Sequence, residues 1–240
     1  MFEAIGTIAY TVLYAALVGV LVGFSQARRS TKLAAAAAAA LWGVIIVTIA
    51  GFGLSATGAA GPAPIPVVAF AVFFALLFGA WGARLQFRDA LLSVPLPALV
   101  ALNAGRLEGV LQVLQTTHGQ LSAPFGPAAG WGDLWVGALA IPVAAIAARG
   151  PKNRDWVIAW NLLGVADLVD ALTLGALSAP GTPFRVFTEG PGTGAMGYLP
   201  WIMVPTMLVP LYLLVHLTIA AKLRSEARAP QAVLPARSAA

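Results

Sequence analysis

The stretch WNLLGVADLVDALTLG, residues 160–175, is apolar except for one amide and two carboxyl side chains. It lies within the longer apolar segment 156–178. A helix needs about 20 apolar residues to cross the hydrocarbon core of a bilayer, and this segment is long enough. A carboxyl group is costly there unless it faces other polar groups inside a bundle. The stretch therefore predicts a membrane helix that turns Asp167 and Asp170 toward a polar interior.

The composition of the whole chain supports a location in lipid. Hydrophobic residues make up 60% of the 240 residues and charged residues only 10%, whereas soluble domains carry about 25% charged residues. The net charge of +5 is not interpreted as nucleic-acid binding, because the basic residues lie at the ends of apolar segments, where anionic headgroups attract them. The chain has no cysteine, which excludes disulfides, thiolate metal sites and catalytic thiols. No cofactor is expected.

Seven segments are long and apolar enough to be membrane spans. They are residues 4–24, 33–53, 65–82, 91–117, 133–149, 156–178 and 199–221. The fourth is long and contains Pro95 and Pro97, which predict a bend or an interfacial start. In the second, the alanine run 34–40 predicts close helix packing. The sequence thus predicts an all-α, multi-pass bundle over residues 1–224 and a disordered cytoplasmic tail over 225–240.

The distribution of Lys and Arg predicts how the bundle is oriented. Twelve of the 14 basic residues lie in every second connection or in the tail: Arg28, Arg29, Lys32, Arg84, Arg88, Arg149, Lys152, Arg154, Lys222, Arg224, Arg228 and Arg237. The alternate connections contain only Arg185, and Arg106 lies inside the fourth span. Because short cytoplasmic loops are enriched in Lys and Arg, we expect the N-terminus outside and the C-terminus in the cytoplasm. The expected location is the inner membrane, with the first helix retained because its positive charges follow the apolar segment.

Ionisable residues at membrane depth define a candidate polar centre. At about 1.5 Å of rise per residue, Asp167 and Asp170 lie about 16 and 21 Å above the inner end of their helix. Arg106 and Glu108 lie about 22 and 25 Å above the inner end of the fourth span. Arg106 is the only cation at that depth, so we expect it to pair with a carboxylate of the sixth span. Asp167 and Asp170 are three residues apart and therefore neighbours on one side of the helix.

Three further polar residues complete the candidate set. Asp133, in GWGDLW, is interpreted most simply as the N-cap of the fifth span. Asn161 is interpreted mainly as a hydrogen-bonding contact between helices. His216 lies in the inner half of the seventh span, as a packing residue or a functional one. His118 is expected in an exposed loop.

Several known kinds of site are disfavoured by the positions of these residues. The two histidines lie at different depths, which does not suit a haem ligated by two histidines. The seventh span has no lysine for a retinal Schiff base, and the zinc motif HExxH is absent.

Four stretches of the C-terminal half resemble a widespread group of uncharacterised multi-pass bacterial membrane proteins. They are GRLEGVLQVLQ (105–115), PAAGWGDLWVGALA (127–140), WNLLGVADLVDALTLG (160–175) and YLPWIMVPTMLVPLYLLVHL (198–217). The group's pattern is R-x-x-G in span four, a PAG-x-GD-x-x-x-G turn into span five, WN-x-x-G-x-x-D in span six, and Pro-Trp with a later His in span seven. On matching positions the resemblance implies a site made of Arg106, Asp133, Asn161, Asp167 and His216. It implies no activity, and Glu108, Asp170 and His118 lie outside its pattern.

Three functional hypotheses remain open from the sequence. The first is a carrier or ligand-binding membrane protein for a small polar solute or ion, in which the polar centre binds the ligand. The second is a non-catalytic subunit, sensor or assembly factor, in which the polar residues hold the bundle together or contact a second copy or another membrane protein. The third is a lipid-modifying enzyme using Asp167, Asp170 or His216. It ranks last because no complete catalytic constellation is visible.

Overall fold

The computed structural model describes residues 2–55 and 65–228, and within these ranges the regular structure is helical. The α-helices of this part of the chain are α1 (Phe2–Phe24), α2 (Arg29–Gly51), α3 (Ile65–Ala83), α4 (Leu85–Leu92), α5 (Leu96–Leu102), α6 (Gly109–Thr117), α7 (Phe125–Ala148), α8 (Arg154–Leu177) and α9 (Val209–Arg228). A 3₁₀ segment, Asn103–Glu108, joins α5 to α6, and a π-helical turn, Val204–Leu208, precedes α9. In lipid, helices satisfy the backbone hydrogen bonds within each segment.

The number of crossings agrees with the sequence prediction. Among the described residues, six helices are long and apolar enough to cross a membrane, and α4 with the α5–α6 segment counts as a seventh, broken span. The prediction of an all-α bundle of about seven spans is confirmed, and the chain is a multi-pass membrane protein by these criteria. Most of the loop 54–64 and most of the tail predicted at 225–240 lie outside the described residues. Residues 225–228 belong to α9.

The fourth span differs from the predicted 91–117 at its start. Helix α4 ends at Leu92, and the chain bends by 89° before α5 begins at Leu96. Pro95 explains the break, because proline lacks an N–H and disfavours a helical conformation in the residue before it. Pro97 lies at the start of α5, where a missing N–H costs nothing.

The α1–α2 connection, the end of α4 and Lys222 of α9 meet at one end of the bundle, here called the basic end because Arg28, Arg29 and Lys222 lie there. The backbone N–H of Gln26 donates to Ser93 Oγ at 2.8 Å, which joins the α1–α2 and α4–α5 connections. The ammonium of Lys222, on α9, donates to the carbonyl of Leu92 at 2.7 Å. This carbonyl belongs to the last turn of α4, where helical donors are missing.

The opposite end, here called the far end, collects the other connections. The ring of Phe2 lies 5.0 Å from that of Trp201 and 5.9 Å from that of His118. The backbone N–H of Gly192 donates to Ser122 Oγ at 3.0 Å. Arg185, the only basic residue of these loops, donates to three carbonyls of its own loop at 2.9–3.1 Å.

Helix α7 packs directly against the broken fourth span, and glycines allow the close approach. A Cβ added to Gly109 would lie 2.6 Å from the carbonyl oxygen of Gly130. A Cβ added to Gly137 would lie 2.7 Å from the backbone nitrogen of Leu107. Both distances are below van der Waals contact, so larger side chains would push the two backbones apart. Small residues at such contacts are typical of packing between membrane helices.

The π-helical turn before α9 is held by a tryptophan of α2. Pro210 has no N–H, so it cannot donate to the carbonyl of Thr206 four residues earlier. The indole nitrogen of Trp42 donates to that carbonyl instead, at 2.9 Å. Its ring also stacks on Phe73 of α3 at 4.9 Å between centroids. One side chain thus connects α2 and α3 to the irregular start of α9.

Candidate functional site

Arg106 lies on the 3₁₀ segment of the broken span, and its side chain is completely buried. Its Nε donates to Asp133 Oδ1 at 2.5 Å, and its Nη2 donates to Asp167 Oδ2. Its Nη1 donates to the backbone carbonyl of Gly164 at 3.3 Å. The guanidinium carbon also lies 5.8 Å from the centre of the Tyr212 ring, within the range of a cation–π interaction. One side chain therefore joins the fourth span to α7, α8 and α9.

Of the two carboxylate partners of Arg106, one was predicted from the sequence and the other was not. Its pairing with Asp167 agrees with the expected partner on the sixth span. Its pairing with Asp133 was not expected, because Asp133 was interpreted as an N-cap. That interpretation is wrong: α7 begins at Phe125, eight residues before the start predicted at 133, so Asp133 lies inside the helix and is buried. Pro127 did not prevent the earlier start, since proline is tolerated in the first turn of a helix.

Gln112 is a member of the centre that the sequence analysis missed. Its amide Nε2 donates to Asp133 Oδ2 at 3.1 Å, so both carboxylate oxygens of Asp133 are engaged. Gln112 follows Glu108 by four residues, which puts the two side chains on one face of the helix. The sequence did contain a signal for Gln112, since its amide lies on the same face of an apolar span as the carboxyl group of Glu108.

Carboxyl groups outnumber the cation in this part of the bundle. Asp133 and Asp167 are each only 12% exposed at the side chain, and both bind the same guanidinium. Glu108 is nearby, with Oε2 out of contact with solvent, unpaired, and beside the hydroxyl of Tyr10. Unpaired charge is expensive in a low-dielectric interior. The centre therefore has more carboxyl groups than cations, and either a proton on one carboxyl group or an additional cation would balance it.

A second polar pair lies beside the first cluster. His216 Nδ1 and Asn161 Oδ1 are 2.9 Å apart, and Asn161 Nδ2 donates to the backbone carbonyl of His216 at 3.4 Å. The ring of Trp160 lies 5.5 Å from that of His216, and its indole N–H donates to the carbonyl of Val136 at 3.1 Å. Asn161 thus connects α8 to α9, as its interpretation as a contact between helices proposed. The Nε2 of His216 is buried and has no hydrogen-bond partner in the described structure.

Gly164 is the point at which the two clusters meet. Its carbonyl binds Arg106, and a Cβ on it would lie 2.6 Å from His216 Nε2. Gly132 has a similar position, because a Cβ there would overlap the carboxylate of Asp167. The polar side chains therefore pack directly on helix backbone. In this way the structure brings together Arg106, Asp133, Asn161, Asp167 and His216.

Asp170 and His118 are not part of this assembly. Asp170 is exposed on α8 and makes no hydrogen bond within the described residues. Three residues along a helix turn the side chain by about 300°, so Asp170 points about 60° away from Asp167. This rotation of about 60° places the Asp170 side chain on the exposed surface of α8 and not inside the bundle. His118 is exposed at the far end, as predicted.

A cavity of about 280 Å³ reaches from the far end to the polar centre. Its walls are mostly apolar and include Phe70 of α3, Phe125 of α7 and Leu168 of α8. Asp133 and Gln112 also line it, and they connect it to the charged cluster. The guanidinium of Arg106 is behind them and fully buried. A molecule in the cavity would meet a carboxylate and an amide between apolar walls.

Comparison with known proteins assigns the chain to a family. The chain matches no curated protein and no solved structure. Residues 62–224 match a family model that is described as a domain of unknown function, DUF8737. The matched range covers more than half of the chain and contains the Arg106, Asp133 and Asp167 cluster together with Asn161 and His216. The chain therefore belongs to the DUF8737 family.

Proposed function

We propose that this protein is a carrier, or a ligand-binding membrane protein, for a small solute that has an apolar body and one cationic group. The N-terminus lies outside and the C-terminus in the cytoplasm, so that the basic end faces the cytoplasm and the cavity faces outward. Joining of the basic connections at one end supports this orientation. The solute enters from the far end and places its cationic group against Asp133.

The observation that carries the proposal is the lining of the cavity. Ligand sites are typically apolar with a small number of placed polar groups that give specificity. Here Asp133 and Gln112 are such groups within mostly apolar walls. A carboxylate has about four lone-pair sites. The bonds from Arg106 and Gln112 therefore leave acceptor capacity on Asp133 for an ammonium group.

The charge of the site favours a cation over an anion. Asp133 and Asp167 share one guanidinium, so the cluster has surplus negative charge when both are ionised. An anion in the cavity would meet Asp133 first, while Arg106 is fully buried behind it. The volume of about 280 Å³ is near the lower limit of ligand cavities, which span about 300–1,000 Å³. We therefore expect a solute of a few carbon atoms.

Two irregular segments beside the site support the carrier form of the proposal. The 3₁₀ segment Asn103–Glu108 contains Arg106, and the π-helical turn Val204–Leu208 contains cavity residues. Interrupted helices at membrane depth are common at transporter binding sites. We propose that these two segments change conformation when the cavity changes the side to which it opens.

The proposal is tested with primary amines of increasing length, from butylamine to octylamine, and with the alcohols and carboxylates of the same length. We expect the amines to raise the unfolding temperature of the purified protein, because a ligand bound only to the folded state stabilises it. We expect Asp133→Asn to lose that response. Asp170→Asn, an exposed carboxylate on α8, is the matched control and should keep it. Uptake of the best amine into proteoliposomes then separates a carrier from a binding protein.

A structural or assembly role is the second candidate, and it also rests on Arg106. Its side chain is fully buried and its three nitrogens are all bonded, as expected for a residue that joins helices. Under this alternative no amine changes the stability of the wild-type protein, and substitutions of Asp133 change folding alone. That result would remove the binding proposal.

A further inference from the structure

A second and larger cavity lies at the basic end, between α1, α2, α3 and α4, and is here called the basic-end groove. Its volume is about 1290 Å³, which exceeds the usual range of about 300–1,000 Å³ for small-ligand sites. Its walls are mainly apolar and include Ala35, Ala38 and Leu77. Lys32 and Arg84 also line it.

The groove exists because α2 packs loosely. Ile46 is its only buried residue, and the alanine run 34–40 was predicted to bring helices into close contact. Ala39 does contact α1, because its carbonyl accepts a hydrogen bond from the Tyr14 hydroxyl at 2.8 Å. Ala34, Ala35 and Ala38 instead line open space, so the prediction is wrong for them. These short side chains leave the space beside α2 unfilled. Apolar walls on a space of this size fit a hydrocarbon occupant, since water there would find few polar partners.

Basic residues at the rim of the groove indicate that its occupant also has a negatively charged group. Arg84 is exposed, and Lys32 uses one of its three ammonium donors on the carbonyl of Gly23 at 3.0 Å. Arg28 and Arg29 are exposed in the adjoining connection. Basic residues next to a membrane attract anionic lipid headgroups. Apolar walls below a basic rim therefore match a lipid that has acyl chains and a negative headgroup.

We propose that the basic-end groove binds one anionic glycerophospholipid. Its acyl chains lie against the alanine face of α2, and its phosphate headgroup contacts Lys32 and Arg84. This proposal is independent of the solute site, because Asp133 and Gln112 do not line the groove. A variant can therefore lose lipid binding and keep amine binding, or the reverse, so the two proposals can fail independently.

The test is native mass spectrometry of the full-length protein in detergent with added phosphatidylglycerol or phosphatidylcholine of identical acyl chains. We expect one phosphatidylglycerol molecule to be retained, with an affinity about tenfold above that of phosphatidylcholine. The double substitution Lys32→Gln and Arg84→Gln should bring phosphatidylglycerol down to the phosphatidylcholine level. The double substitution Arg149→Gln and Lys152→Gln removes the same charge from exposed positions at the same end, outside the groove, and should change nothing.

A second pair of variants tests the apolar part of the groove without changing charge. Ala38→Phe places an aromatic ring inside the groove and should lower retention of phosphatidylglycerol, whereas Ala37→Phe, at an exposed position outside the lining, should not. Circular dichroism confirms that each variant is folded before it is compared. Equal loss of lipid in the Lys32/Arg84 and Arg149/Lys152 variants would overturn the proposal. A protein dimer that forms without lipid and is disrupted by Ala38→Phe would overturn it as well, because a second copy would then occupy the groove.

Discussion

Replacing Arg106 with methionine removes the cation that joins the fourth span to α7 and α8, while filling much of the same volume. Asp133 loses a donor at 2.5 Å, Asp167 loses its Nη2 partner, and the carbonyl of Gly164 loses a donor at 3.3 Å. Two carboxyl groups that are each only 12% exposed then remain without a counter-ion. We expect the variant to be strongly destabilised.

The size of the loss distinguishes an ion-pair network from ordinary hydrogen bonds. Hydrogen bonds between membrane helices average about 0.6 kcal/mol, so three of them would contribute about 2 kcal/mol. Removing one partner of a buried ion pair costs about 3–5 kcal/mol, because the other charge stays buried. Since two of the three contacts of Arg106 are to carboxylates, we expect about 3–5 kcal/mol. Adding Asp133→Asn and Asp167→Asn removes the uncompensated charges, so the loss should fall toward about 2 kcal/mol.

The free energy of unfolding is measured by titration with sodium dodecyl sulfate in mixed micelles, followed by circular dichroism. The control is Arg149→Met at an exposed position of the basic end, which should stay within about 0.5 kcal/mol of the wild type. The triple variant is compared with Arg106→Met and with the double asparagine variant in one thermodynamic cycle. If the triple variant loses the sum of the other two losses, the three residues act independently. The reasoning from charge would then be refuted.

Three further substitutions are measured in the same way. Gly164→Ala should cost about 1–3 kcal/mol by overpacking, because its Cβ would lie 2.6 Å from His216 Nε2. Gly79→Ala, which meets nothing within 4 Å, should instead stabilise the protein by up to about 1 kcal/mol. Equal effects at the two glycines would contradict this packing. Trp42→Phe keeps an aromatic ring but leaves the carbonyl of Thr206 without its donor, so we expect a loss of about 1–2 kcal/mol. Faster amide exchange over residues 204–210 would support that cause, and an unchanged stability would exclude it.

The number of spans and the grouping of their ends were predictable from the sequence because both depend on composition along the chain. Apolar length predicts a crossing wherever it occurs, and Lys and Arg mark every second connection. The break in the fourth span was also predictable, since Pro95 disrupts a helix through its own covalent structure. Each of these features is local. None depends on which helix lies beside which.

The composition of the polar centre was only partly predictable, because it depends on contacts between helices. Arg106 could be expected to find a carboxylate, yet its pairing with Asp133 required knowing that α7 begins at Phe125. Asp167 and Asp170 differ by only about 60° around their helix. The choice between interior and surface is decided by the neighbouring helix, which the sequence alone does not identify. Gln112 was missed for the same reason, because its role comes from Asp133 on another helix.

The glycines beside the polar centre show that a distinctive sequence motif in this chain is not by itself evidence of ligand binding. Because a Cβ on Gly132 would overlap the Asp167 carboxylate, the glycine and the ion pair form one packing arrangement. The carbonyl of Gly164 accepts a hydrogen bond from Arg106, and a Cβ on Gly164 would clash with His216, so this glycine also packs directly against the polar side chains. Substitutions at most of these positions will therefore disturb folding and any binding together. Asp133 and Gln112 differ because they also line the far-end cavity. Only changes at such positions can lower ligand affinity more than stability, so the functional question is decided there.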